Sequence, residues 1–306
     1  MGLYLLKRFY QTGIVFLVIT AIVFVILHAA GDPVELLLPQ DATEEAATAL
    51  RIELGLDKPF LVQYGLFLAN ASRGNLGVSY HHGQPALQLV LDRLPASLEL
   101  VGISMLISIL IALPLGVLSA SRRGKLLDRL SLIGSLVGIS SPPFWIGIVF
   151  ILIFAVELRW LPSSGRGTWA HLVLPATSLA LYRVALFLRL IRAGMLDVMT
   201  QDFIRTARAK GLSEKKVIYK HALKNTLIPF VTIAGMQMGS LLAGAIVTEK
   251  VFAWPGMGRL FLDSIGIMDF PVIIAWTLVV ATIFLSINLF VDIIYVWLDP
   301  RIRHAK

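Results

Sequence analysis

Six histidines, no cysteine and a few polar residues inside apolar runs are the groups from which this chain could build chemistry. Without cysteine there is no disulfide framework, thiolate nucleophile or thiolate-ligated zinc. The histidines are scattered. His81 and His82 are neighbours, but adjacent loop residues make a poor metal site without further ligands, so both are expected at the surface. His28, at the end of an apolar run, is expected to be an interfacial polar cap. No Gly-x-x-x-x-Gly-Lys-Ser/Thr phosphate loop occurs, because Gly124-Lys125 has the wrong flanks and no Ser or Thr after it. His-Glu-x-x-His and Gly-x-Ser-x-Gly are also missing. ATP hydrolysis by a phosphate loop and membrane-enzyme catalysis therefore have no residues to carry them.

What remains is recognition and passage. Arg183 stands inside one apolar run, and Gln237, Ser240 and Thr248 add polarity to another. Asn288 and Asp292 share a face at i, i+4 in the last. Ser140-Ser141-Pro142-Pro143 interrupts a fourth run, where two prolines remove backbone donors and the freed carbonyls need protein or water. Polar groups are costly in lipid, so they point to a pathway or a subunit contact. Pro142, Pro143, Arg183, Gln237, Ser240, Asn288 and Asp292 are the candidates. Three readings compete for Arg183: snorkelling to the cytoplasmic interface, pairing with Asp292, or meeting a solute carboxylate in a pathway.

The runs that position these residues are long. Of the 306 residues, 57% are hydrophobic and 15% charged, against about 25% charged in a soluble domain. A mean hydropathy of +0.80 leaves an integral membrane protein. Windows of about 20 apolar residues, the length needed to span as a helix, lie at roughly 9–28, 98–118, 132–156, 172–191, 228–248 and 272–298. None alternates as a barrel strand does. The run after Lys7 and Arg8 exceeds a secretory h-region of about 7–15 residues, so a retained helix is expected. Six spans place both termini on one side. Eighteen of the 27 lysines and arginines fall in the N-terminus, the loops 119–131 and 189–227, and the tail; eight fall opposite. Positively charged flanks stay cytoplasmic, so the expectation is N-in, C-in. The formal charge of +8 is then a matter of topology, and no nucleic-acid role is needed.

Two segments outside the spans are long. Residues 30–97 form an outer cap, too short for an independent domain, with an amphipathic stretch Glu44 to Leu54 and turns at Gly74, Gly77 and Gly83. Its eight acids exceed its four basic residues. Residues 192–227 lie inside and read as helix Met195 to Lys210, a break at Gly211-Leu212-Ser213, and helix Glu214 to Leu223, with Ser213 as N-cap. Gly134 and Gly138 in the third span, and Gly235, Gly239 and Ala243 in the fifth, let helices approach closely.

The inner loop reads Asp202-Phe-Ile-Arg-Thr-Ala-Arg-Ala-Lys-Gly211-Leu-Ser, then His221-Ala-Leu-Lys-Asn-Thr-Leu-Ile-Pro229. It resembles the EAA loop of ABC-importer permeases, in the form used by the dipeptide/oligopeptide/nickel family. His28 to Pro33, Leu54 to Pro59, Arg93-Leu-Pro-Ala-Ser-Leu-Glu99 and Trp160-Leu-Pro-Ser163 are similar to that family in the same order. So are Glu249-Lys-Val-Phe-Ala-Trp-Pro-Gly256 and Asp299-Pro-Arg-Ile-Arg303, and the likeness spans nearly the whole chain. The early long outer loop resembles the B-type subunit. Arg205 and Thr206 depart from the Glu and Ala of many importers, and Lys224 stands where a proline often falls.

The resemblance implies an all-α, six-span type I importer permease, one domain over 1–306, in a bacterial cytoplasmic (inner) membrane. It implies that 197–224 is a coupling helix pair, with Asp202, Arg205, Ala207, Ala209, Gly211, Leu212 and Ser213 at the contact with an ATPase subunit. Gly211 would allow the tight break, and Ala207 and Ala209 would keep the first helix slim. The implied partners are a second, C-type permease subunit, one or two ABC ATPases and an extracytoplasmic solute-binding protein docked on the acidic cap. The chain itself would bind no cofactor; MgATP would be used by the ATPases. The expected function is import of short peptides or a related solute. The alternative is an ion-gradient-driven secondary transporter, which predicts inverted repeats and paired embedded acids; the sequence shows neither. A scaffold or membrane enzyme is a third, lacking motifs. Among peptides, nickel chelates, glutathione, sugars and opines the sequence does not choose.

Overall fold

The computed structural model describes residues 2–29, 34, 43–53 and 56–298. Residues 30–33 of the first family-like turn, residues 35–42 of the outer cap, Leu54-Gly55 and the closing Asp299 to Arg303 lie outside them. Among the described residues the fold is helical with no strand; the nearest approach to one is a bridge between Val78 and Pro85. In chain order the helices are α1 Gly2–Ala29, α2 Glu44–Glu53, α3 Phe60–Ser72, α4 Ala86–Ser121, α5 Leu126–Ser140 and α6 Pro143–Glu157. Then come α7 Trp169–Met199, α8 Asp202–Ala209, α9 Glu214–Val251, α10 Met257–Gly266 and α11 Phe270–Leu298. Five of them (α1, α4, α7, α9 and α11) are long and apolar enough to cross a membrane, and α5 with α6 supplies a sixth crossing if the pair counts as one.

That pair corrects the expected kinked span over 132–156. The axes of α5 and α6 meet at 101°. A residue before proline is pushed out of the helical region, and here two stand in a row. Ser141 has φ −96, ψ 123 and Pro142 φ −61, ψ 136, and Pro143 restarts the helix at its first position. The helix is broken rather than bent. Pro142 is exposed and Pro143 half-buried.

Two more boundaries differ. The expected helix Met195 to Lys210 is divided: α7 runs to Met199 and α8 begins at Asp202. At the junction the Thr200 hydroxyl donates to the Asp197 carbonyl at 2.7 Å, a local bond that competes with the helix, and Gln201 is extended. Conversely, the helix expected to end at Leu223 continues into the fifth span as α9. Pro229 lies inside it, following a wider π-helical stretch Val217–Ala222.

The chain divides into two compact units, Met1–Leu94 with Leu260–Leu285, and Pro95–Arg259 with Ser286–Lys306. In the first, Phe24 of α1 sits against Phe60, Tyr64 and Phe67 of α3, with ring centroids 5.1, 5.4 and 5.7 Å apart. Thr20 and Tyr64 share a hydrogen bond of 2.9 Å. Asp269, fully buried, accepts from the Ser79 hydroxyl at 2.5 Å and the Tyr80 N–H at 3.2 Å. Burial and that carboxylate push the Tyr80 phenol above its ordinary pKa. His81 and His82 are exposed.

In the second unit α7 is the central post, its buried face running from Leu172 to Met195. Both halves of the broken span pack on it through glycines. A Cβ on Gly138 would lie 2.9 Å from the Ala185 Cβ, and one on Gly147 would lie 3.6 Å from the Ser178 Oγ and 2.8 Å from the Phe252 ring. Gly134 has no such neighbour. In α9 a Cβ on Gly235 would run into the side chain of Val291 on α11.

Candidate functional site

The loop 192–227 hangs between two uninterrupted helices. α7 and α9 cross so closely above it that a Cβ on Gly194 would lie 2.8 Å from the Thr226 Cγ2. Below, α8 turns Ile204 and Ala207, one helical step apart, into the chain, and Val217 of α9 is fully buried there. The remaining residues of α8 stay exposed, Phe203 at 40% among them. Among the described residues, only Glu214 reaches this face, through Arg208.

The break after α8 has a physical cause. Gly211 takes φ +75, a left-handed conformation that glycine adopts without the Cβ penalty. Its N–H donates to the Arg208 carbonyl at 2.9 Å and that of Leu212 to the Ala207 carbonyl at 3.4 Å. Arg208 then spans the turn, with Nε 3.2 Å and Nη2 2.6 Å from the Glu214 carboxylate. That contact holds the guanidinium above its ordinary pKa. Both side chains are more than a third exposed, so the bridge is worth at most about 1 kcal/mol; it orients the turn more than it stabilises it. The Asp202–Arg205 contact, 3.5 Å and almost fully exposed, contributes less.

Two expectations for this loop change, and one stands. Ser213 occupies the N-cap position, but its side chain makes no capping bond. Ala209 is exposed, as a contact face requires. Ala207 is buried, so its small size serves the packing of α8 on the chain, not a slim outer surface.

Beside the loop lies an ion pair that reading the sequence missed. Asp128 of α5 is 2% exposed and accepts from Arg192 Nε at 2.6 Å and Nη2 at 3.0 Å. It also accepts from the Ser119 hydroxyl at 2.6 Å and the Gly124 N–H at 2.8 Å. One carboxylate thus ties α4, the turn after it, α5 and the end of α7. Arg192 counted in the sequence only as one more inside charge. The sole signal was an acid in a basic loop.

Within the spans, Arg183 is one residue from the midpoint of α7, about 21 Å from one end and about 24 Å from the other at ~1.5 Å per residue. It is 5% exposed and its Nε–H has no hydrogen-bond partner. This burial argues against snorkelling, since the guanidinium is enclosed by the chain. The expected pair with Asp292 is also absent: Arg183 forms no ion pair among the described residues. Asp292 and Asn288 are half-buried elsewhere on α11. The guanidinium lies 5.8 Å from the Tyr182 ring, a contact worth roughly 0.5–2 kcal/mol. Holding the cation in the span costs about 2.5–3.5 kcal/mol, so the ring offsets only part. Gln237 and Ser240 are joined by a 2.9 Å hydrogen bond on an exposed stretch of α9.

At the other end of α9, two of the family-like segments, Arg93–Glu99 and Glu249–Gly256, meet. Glu249 is 1% exposed and accepts from the Ser97 hydroxyl at 2.5 Å and from the N–H groups of Gly258 and Arg259 at 2.8 and 3.0 Å. The Met257 N–H donates to Ser97 at 2.9 Å. Glu249 and Ser97 thus satisfy the first amides of α10, where negative charge is favoured. Trp254 Nε1–H donates to the Ala96 carbonyl at 2.8 Å. Arg166 binds Glu99, with Nε 2.9 Å from its Oε2, and lies 5.7 Å from the Trp254 ring. Gly256 has no room for a side chain, since a Cβ would stand 2.2 Å from the Glu249 carboxylate.

Among known families, the binding-protein-dependent transport system inner membrane component matches residues 112–304, and its N-terminal companion matches residues 1–101. The chain is 39% identical to the dipeptide transport system permease protein DppB of Alkalihalophilus pseudofirmus, over 98% of this chain and 99% of that one. It is equally 39% identical to the glutathione transport system permease protein GsiC of Escherichia coli, with the same coverage. Among solved structures, the MetNI methionine ABC transporter in an inward-facing form superimposes with a TM-score of 0.59 at 21% identity. That match covers 70% of this chain and 98% of that one.

Proposed function

The chain belongs to the family of binding-protein-dependent transport system inner membrane components, and on that premise we propose that α8 and the Gly211 turn are the surface through which a separate ATPase subunit drives it. It is the permease subunit of an ABC importer, a multi-pass membrane protein whose own role is passage rather than catalysis.

The observation that carries the docking reading is the exposed face of α8 between two helices that each cross the membrane without a break. A push on α8 reaches the far side as a rigid-body movement of α7 and α9. The close crossing at Gly194 and the Asp128–Arg192 tie keep it from being absorbed locally. In this reading Asp202, Arg205, Ala209, Gly211, Leu212 and Ser213 face the ATPase, which alone binds MgATP. A second, C-type permease subunit completes the pathway, with Pro142, Pro143, Gln237, Ser240, Asn288 and Asp292 at the pathway or subunit interface. An extracytoplasmic binding protein delivers the solute to the acidic cap. The solute is a short peptide or a peptide-like compound, a reading supported by the names of the 39%-identical permeases.

Reconstitution of the assembled importer tests this. Uptake should require both MgATP and the ATPase subunit. Uptake that persists without any ATPase, driven by an ion gradient, would contradict the reading and favour a secondary transporter.

A further inference from the structure

We propose that Arg183, together with Thr248, is an internal subsite that binds the carboxylate of the transported solute. The proposal rests on the import reading above and gives it a substrate class.

Among the described residues of the second unit, two buried polar groups lack partners, and Gly244 lies between them on the chain of contacts. Arg183 is 5% and Thr248 1% exposed, and neither Arg183 Nε nor Thr248 Oγ1 has a hydrogen-bond partner. Gly244 links them. A Cβ there would lie 3.6 Å from Arg183 Nη2, and Thr248 is one turn further along α9. Gln237, Ser240, Gly244 and Thr248 are spaced by three, four and four residues, which places them on one helical face. That face begins with the exposed Gln237–Ser240 pair, passes the bare and exposed backbone of Gly244 over which the guanidinium lies, and ends at the unpartnered hydroxyl.

Native interiors rarely leave donors unpaired, and each exception asks for a reason. A buried guanidinium with no protein carboxylate is a large one. Packing does not supply the reason, since a methionine would fill the same volume without the charge. A partner that comes and goes does. Guanidinium offers only donors, in a fork that matches a carboxylate, and the threonine hydroxyl adds another. A solute without a carboxylate would leave the site unpaired; one that carries a carboxylate satisfies it, whatever its net charge. The missing side chain at Gly244 leaves room for the atoms behind the carboxylate. The solutes for which the 39%-identical permeases are named, dipeptides and glutathione, carry free carboxylates.

The test uses the full importer in proteoliposomes with its binding protein, and alanyl-alanine and glutathione as probes. Arg183→Gln should assemble in normal yield yet import either probe about tenfold or more slowly, the value of one lost charge-assisted hydrogen bond. Arg183→Lys should recover part of the rate, and Thr248→Val should lose a few-fold. Solute affinity of the separate binding protein is untouched, so the loss lies in translocation. Import by assembled Arg183→Gln at the wild-type rate overturns the proposal. Failure of Arg183→Gln to assemble, restored by Arg183→Lys, also overturns it, because the cation would then pair with a protein acid on the second permease subunit. If the wild-type importer moves neither probe with MgATP, the peptide-import reading fails and the subsite falls with it, a result distinct from the other two.

Discussion

Substituting Gly211 by aspartate separates what the turn does for the chain from what it does for a partner. In the chain the cost is small. Gly211 is exposed, and a Cβ there meets nothing within 4 Å, so the only penalty is backbone strain at φ +75. Left-handed backbone costs an ordinary residue about 1–2 kcal/mol, and Asp and Asn less, because their side chains bond locally. The amide bonds that close the turn, from Gly211 to Arg208 and from Leu212 to Ala207, need no glycine. Against a typical stability of about 5–15 kcal/mol, the permease stays folded, with a melting temperature a few degrees lower at most. Against an ATPase cleft the cost is different in kind. A carboxylate buried there without a counter-ion costs about 3–5 kcal/mol, more than a hundredfold in affinity. In proteoliposomes, Gly211→Asp should therefore abolish uptake and the ATPase stimulation given by the loaded binding protein. Gly211→Asn, which tolerates the same backbone without charge, should retain an intermediate rate. Wild-type uptake by assembled Gly211→Asp would refute the placement of the contact.

Two structural predictions follow the same logic. Gly256→Ala must push the Glu249 carboxylate off the Gly258 and Arg259 amides, so it should destabilise the purified permease by about 2–4 kcal/mol, read as a lower unfolding temperature in detergent; an unchanged temperature would show the clasp to be slack. Asp128→Asn leaves Arg192 without its counter-charge at a site only 19% exposed on the arginine side and should cost about 2–4 kcal/mol; added Arg192→Gln should restore part of it, and independent additive losses would deny the coupling.

The apolar windows located the spans because lipid imposes a length and a composition on every crossing helix. The helix boundaries were harder to read. Ser141-Pro142-Pro143 announced a disturbance, but proline chemistry alone does not distinguish a kink from a 101° break; the close approach of Gly138 and Gly147 to α7 accompanies that break and is not legible from spacing. The inner loop was legible through Gly211, whose positive φ a sequence can suggest. Its start was not, because the stop at Thr200 depends on one local side-chain bond. Glu249 was visible only as a letter in a familiar run. Its role as a cap for α10 needs Ser97, 152 residues away. Arg183 stood out by its cost, but its expected partner Asp292 was chosen by depth alone. Depth does not specify the side of a helix.

The contact between α8 and an ATPase is the central claim, and the sequence makes it directly measurable. The chain has no cysteine, so Ala209→Cys, at an exposed position, carries the only thiol in this subunit. A short thiol-to-amine cross-linker, applied to the assembled importer with and without MgATP, should join this subunit to the ATPase in high yield, with a yield that changes on nucleotide binding. Cross-links to the binding protein, or none to the ATPase in a complex that still imports, would contradict the account.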